Sequence, residues 1–305
     1  MEYSGIKVMW RLLLLECICL FASSFFEVWL TDSVGISLYA SMIPAQLHML
    51  IPIIIGGVYL TKNYRYYTFS NMIGLCGFDP IILLPTILLP YASENFGMWM
   101  VWPYIETLTG IFGEQAAGIT APETVRELLL MISVLCVIVP ITEEMLFRGI
   151  LFKILEPYGT LSAIFITAFG FSILHFSPPV FVLILIVGAV LGFLRVCSGS
   201  LFPCMIFHAL FNFLSVMQIV FQNELTSFEI PLSIMSIAGA VILPVLIFIV
   251  YMVWGKGKFH AGVIKRIKGG TVSLILILIL YALMAINLAA MNSAMPINFG
   301  GGIFN

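Results

Sequence analysis

The run Glu143-Glu144-Met145-Leu146-Phe147-Arg148 puts two adjacent carboxylates and a guanidinium inside a stretch that otherwise reads as membrane-spanning helix. An ionisable side chain at mid-membrane costs roughly 2.5 to 3.5 kcal/mol on insertion scales, so this cluster implies partners, a water-filled cavity, or both. Residues four apart share a helical face. Glu144 and Arg148 are therefore neighbours, in the Glu-before-Arg order that favours pairing, and Glu143 points about 100° away. Phe171 and His175 repeat the four-residue spacing in the next apolar segment, and His208 and Asn212 repeat it again.

Counting along helices tests whether these groups can meet. From a turn near Glu156 to Gly159, Glu143 lies about 20 Å back along its helix and His175 about 24 Å along the returning one. Counted from Ser200, His208 and Asn212 lie about 12 and 18 Å in. Two carboxylates, an arginine, two histidines and an amide are thus permitted to share one cavity. In such a cavity a carboxylate such as Glu143 can act as a general base, and an imidazole and an amide such as His208 and Asn212 can donate hydrogen bonds to developing negative charge, each worth on the order of 3 kcal/mol.

The elements that must position these groups follow from composition. The 305 residues are 61% hydrophobic and 9% charged, with a mean hydropathy of +1.12, against about 25% charged in ordinary soluble domains. This specifies an all-α, polytopic transmembrane bundle, with residues 1–305 forming a single integral membrane domain. No basic, aromatic-interleaved face points to nucleic acid. Segments of about 20 apolar residues cross the hydrocarbon core. Nine occur, near 12–30, 38–61, 72–92, 127–156, 160–177, 179–196, 201–222, 229–254 and 271–291. The third is broken by Pro80, Pro85 and Pro90 and reads as a span or a re-entrant segment, which gives eight to nine spans.

With nine spans, Lys7, Arg11, Lys62, Arg65, Lys153, Arg195, Lys256, Lys258, Lys265, Arg266 and Lys268 fall on one side. That side is cytoplasmic by the positive-inside rule, which places the N-terminus there. The loop near 93–125 carries Glu94, Glu106, Glu114 and Glu123 without Lys or Arg, and its Trp99 and Trp102 fit an interfacial belt. Arg126 is the exception on the outer side, explained by snorkelling.

Other polar residues have plainer readings. His48 reads as a hydrogen-bonded packing residue, and Glu16 and Glu27 as span-end groups that snorkel or pair locally. Asp79 before Pro80 reads as a turn or helix cap. The cysteines, without a CxxC pair, read as core residues rather than disulfides or a thiolate zinc site. Glu16 interrupts the first apolar run, which is read as a span rather than a signal peptide. Gly302-Ile303-Phe304-Asn305 carries no prenylation cysteine.

Together, Glu143-Glu144-x-x-x-Arg148, Phe171-x-x-x-His175 and His208-x-x-x-Asn212 resemble the three motifs of the CPBP intramembrane proteases, the group of type II CAAX prenyl proteases and Abi-type bacteriocin self-immunity proteins. Gly192 and the run Ser198-Gly199-Ser200-Leu201-Phe202-Pro203 add similar context. The resemblance covers about residues 127–220, the expected catalytic core. It implies an endopeptidase acting inside the lipid bilayer on a membrane-embedded or lipidated peptide, a prenylated one among the candidates. By position, Glu143 and His175 would activate water, His208 and Asn212 would stabilise the oxyanion, and Glu144 and Arg148 would support the site. No cofactor is favoured. Zinc is the alternative, with Glu143, His175 and His208 as ligands, although HExxH is absent. Competing functions are an immunity or scaffold protein acting by binding and a proton-coupled transporter; the latter fold commonly shows internal repeats, which this sequence lacks.

Overall fold

The computed structural model describes residues 2–63, 68–112, 121–221, 232–261 and 271–294, and among these every regular element is helical. The helices are α1 (Glu2–Asp32), α2 (Leu38–Asn63), α3 (Phe69–Ile73), α4 (Leu83–Phe112), α5 (Val125–Tyr158), α6 (Thr160–Ile173), α7 (Phe181–Ser198), α8 (Phe202–Val220), α9 (Leu232–Val250) and α10 (Thr271–Ala294). Five of them, α1, α2, α5, α7 and α8, are long and apolar enough to cross a membrane, and a sixth span is completed if Pro80–Gly97 and Met100–Ile111, bent by 58°, count together. The apolar helices Thr160–Ile173, Gly239–Gly255 and Thr271–Ile286 are shorter. The result is the expected polytopic α-helical bundle. Arg65, Glu114, Lys265, Arg266, Lys268 and Gly302 to Asn305 lie outside the described residues, as does the side chain of Trp99.

Two boundaries differ from the sequence reading. The prolines do not end the third segment at residue 92: Pro80 opens a short 3-10 turn capped by Asp79, Pro85 falls in the first turn of α4, and Pro90 is carried inside it. Proline at a helix start removes only an N–H that has no intrahelical partner. Glu94 and Glu106 consequently sit on a helix, not in a loop. The fifth segment is shorter than expected, since α6 stops at Ile173 and leaves His175 in the turn beyond. Phe176 takes a positive φ of 49°, and the Pro178-Pro179 pair that follows cannot continue a helix.

Helix α5 is the centre of the bundle. Its Leu146, Phe147, Ile150 and Leu151 are buried in one cluster with Leu13 and Cys17 of α1, Ile53 and Leu60 of α2, and Ile164 and Phe171 of α6. A second cluster joins α4, α7, α8 and α9 through Leu89, Leu191, Leu194, Phe207 and Leu243. Lipid offers no hydrophobic drive between helices, so close approach at small residues matters. A Cβ on Gly188 of α7 would lie 3.1 Å from the Cα of Ala168 in α6. Outward, Phe25, Ile54, Leu84, Phe165 and Phe248 stand exposed, as lipid-facing side chains should.

Around the charged run α5 departs from regular α-helix. π-Helical turns at Val134–Ile138 and Met145–Leu151 bracket Val139–Glu144, and such insertions are frequent at functional sites.

Candidate active site

Glu144 and Arg148 are both 0% exposed, and the Arg148 Nη1 donates to Glu144 Oε1 at 2.9 Å. The four-residue pairing read from the sequence is present although Met145–Leu151 is π-helical. Nη2 donates to the Gly188 carbonyl of α7 at 3.0 Å, and the guanidinium lies 4.6 Å from the centre of the Phe171 ring. A buried charge survives only when paired and hydrogen-bonded, and these contacts supply three sides of that cage. Arg195 of α7 adds a bond from Nε to the Arg148 carbonyl at 3.2 Å, which ties the two helices at this level.

The same Glu144 Oε1 accepts from His208 Nδ1 at 2.9 Å. An ionised carboxylate only accepts, so Nδ1 carries the proton and the ring's orientation is set. His208 Nε2 then faces Glu143 Oε2 at 3.7 Å. Glu143 Oε2 is buried without a hydrogen-bond partner among the described residues.

His175 stands across from Glu143. Its Nδ1 is 2.8 Å from the Phe171 carbonyl, which can only accept, so Nδ1 is the donor and Nε2 holds the lone pair. Phe171 fixes both imidazoles: it meets His175 edge-on at a centroid distance of 4.8 Å and His208 at 5.8 Å. Glu143, His175 and Phe171 line one cavity of about 100 Å³. His208 is not among its lining residues but reaches the Glu143 carboxylate from α8.

Asn212 ties α8 to α5. Its Nδ2 donates to the Leu135 carbonyl at 2.7 Å. In a π turn the carbonyl of one residue pairs with the N–H five residues on, and five residues beyond Leu135 is Pro140, which has none. The Val139 N–H is taken by the Val134 carbonyl. Asn212 thus satisfies a backbone acceptor that Pro140 orphans. The second hydrogen of its amide remains for another acceptor.

Three further polar residues reach this region. Glu16 of α1 and His48 of α2 are paired at 2.8 Å with side chains 3% and 9% exposed, and both line the cavity with Glu143 and His175. Glu16 is thus buried and paired across helices rather than snorkelling or pairing locally at a span end, whereas His48 is hydrogen-bonded as read from the sequence. Gln46 lines it too and donates to Thr142 Oγ1 at 3.1 Å, bracing α2 against the residue before Glu143. The signal for Glu16 in the sequence is a carboxylate inside an apolar run with no basic residue one turn away.

Among the described residues no group of three His, Cys, Asp or Glu side chains is placed to hold a metal ion.

No curated protein and no solved structure matches the chain. Residues 125–214, which span Glu143 to Asn212, match the family model described as Rce1-like, type II CAAX prenyl endopeptidase Rce1-like, the endopeptidase group that the three motifs resemble.

Proposed function

We propose that this protein is a multi-pass intramembrane endopeptidase that hydrolyses a peptide bond in a membrane-embedded or lipidated substrate, of which a prenylated C-terminal peptide is the first candidate. The observation that carries the reading is the meeting of Glu143 and His175, from α5 and the end of α6, in one cavity inside an apolar bundle. Residues 127–220 are the catalytic core of a single membrane domain whose N-terminus faces the cytoplasm.

In this mechanism the Glu143 carboxylate takes a proton from water while the Nε2 lone pair of His175 accepts the water's other hydrogen and aims its oxygen. The oxygen attacks the scissile carbonyl carbon, and charge develops on the carbonyl oxygen. His208 Nε2 donates to that oxyanion, joined by the second N–H of Asn212; donors of this kind each contribute about 3 kcal/mol. Glu144 and Arg148 hold His208 through its Nδ1. The C–N bond then breaks and the amine leaves with a proton. The chain's own groups suffice for these steps, without a cofactor.

The test is cleavage by the detergent-purified protein of matched C-terminal peptides with and without a prenyl group, read by mass spectrometry. Cleavage is expected from the parent and not from Glu143→Ala or His175→Ala. If both variants cleave as fast as the parent, the assignment is wrong.

A further inference from the structure

We infer that Glu16 and His48 form a second proton-carrying pair of the same cavity and that this pair protonates the leaving amine; the inference rests on the peptidase reading. The first observation is a proton count. His48 Nδ1 lies 2.7 Å from the Ala45 carbonyl, which can only accept, so Nδ1 bears a hydrogen. Its Nε2 lies 2.8 Å from Glu16 Oε1. Two bare lone pairs do not face each other at that distance, so one proton sits between them, on nitrogen or on oxygen. In both placements the pair is neutral overall, which is what burial among membrane helices demands.

The second observation is an unused oxygen. Glu16 Oε2 is buried and has no hydrogen-bond partner among the described residues, which leaves it open to a group bound in the cavity. Glu16 and His48 line the cavity that Glu143 and His175 share. The other polar lining residue, Gln46, is engaged with Thr142, and the remaining lining side chains are apolar. Besides Glu143 and His175, Glu16 and His48 are therefore the lining groups that hold a transferable proton.

The balance closes without a co-reactant. Glu143 takes one proton from the attacking water. As the C–N bond breaks its electron pair goes to nitrogen, which takes the proton of the Glu16–His48 pair. The pair, left with two facing lone pairs, is reloaded by the proton on Glu143, and the water's second proton stays on the new carboxyl group.

The experiment compares two substrates of one peptide sequence: the amide, and an ester of an acidic phenol, whose phenolate departs unprotonated. Glu16→Gln keeps a hydrogen bond to His48 but carries no acidic proton. The amide kcat should fall by about 100-fold or more while the ester kcat stays near the parent's. Equal loss on both substrates would show that Glu16 only shapes the cavity, and no loss on either would show that it has no part; each overturns the inference. Glu143→Gln is run alongside, because its failure to lower either rate would sink the peptidase reading itself. Should Glu16→Gln not yield folded protein, His48→Gln is measured on the same substrates. In the parent labelled with nitrogen-15 histidine, His48 should show a protonated Nδ1 and a shared proton at Nε2; a bare Nδ1 overturns the inference.

Discussion

Replacing Arg148 with Met should destabilise the bundle by about 3–5 kcal/mol, the usual cost of breaking a buried ion pair from one side. Arg148 is 0% exposed and Met is close to its length, so little volume is lost. What remains is the Glu144 carboxylate, also 0% exposed, with Oε2 already unpartnered and Oε1 reduced from two donors to His208 alone. An attraction of about 4 kcal/mol for charges 4 Å apart at an effective dielectric of 20 is of the same size. The Gly188 carbonyl loses its bond and the Phe171 ring its cation. At 2–4 °C per kcal/mol for chains of moderate size, the expected fall in Tm is about 6–20 °C. A thiol-reactive dye reads this directly in detergent, since Cys17, Cys136, Cys197 and Cys204 are free and buried. The double variant Glu144→Gln with Arg148→Met removes the stranded charge and keeps an acceptor for His208, so it should melt above Arg148→Met alone. An Arg148→Met protein that melts with the parent, or a double variant no better than the sum of its parts, would refute the reasoning.

Asn212→Leu should cost about 1 kcal/mol of stability through the lost bond to the Leu135 carbonyl and lower kcat about 100-fold; a melting shift with unchanged kcat would remove Asn212 from the oxyanion role. Gly188→Ala should cost about 1–3 kcal/mol, because the added Cβ meets Ala168 at 3.1 Å and pushes the Gly188 carbonyl off Arg148; a parent-like Tm would show that α6 and α7 have slack there. The Trp254 indole N–H at 2.9 Å, and then the Ile81 amide, hold the Asp79 carboxyl below the usual carboxylate range. A lowered folded value means that this tie between α4 and the end of α9 is present above the unfolded value and is lost as pH falls through the lowered one. A tryptophan emission change on acidification that is absent in Trp254→Phe would report it, and an identical change in both would contradict it.

Much of the bundle was legible because its two signals are local. Runs of apolar residues mark α1, α2, α5, α7 and α8 as spans, and a four-residue interval marks Glu144 with Arg148. Depth counting along two adjoining segments also brought Glu143 and His175 to one level, since one short turn joins their helices. The same counting could not show that α6 ends before His175, because a stop set by the Phe176 backbone and two prolines moves a boundary without changing hydropathy. Nor could it show Asn212 answering Pro140. That need arises only from the π turn, whose hydrogen bonds run one residue longer than the regular helix the sequence suggests. Glu16 and His48 escaped for a different reason: they lie on separate helices and share a face only once α1 and α2 pack. Pairing across helices is a tertiary fact, and no spacing rule encodes it.

Glu143 as the base that activates the attacking water is tested by the single-turnover cleavage rate of Glu143→Gln against the parent on the best peptide substrate. Gln keeps the size and a hydrogen-bonding oxygen but cannot take the proton, so the rate should fall by about 100- to 10,000-fold with the melting temperature near the parent's. A Glu143→Gln protein that cleaves at the parental rate would contradict the account.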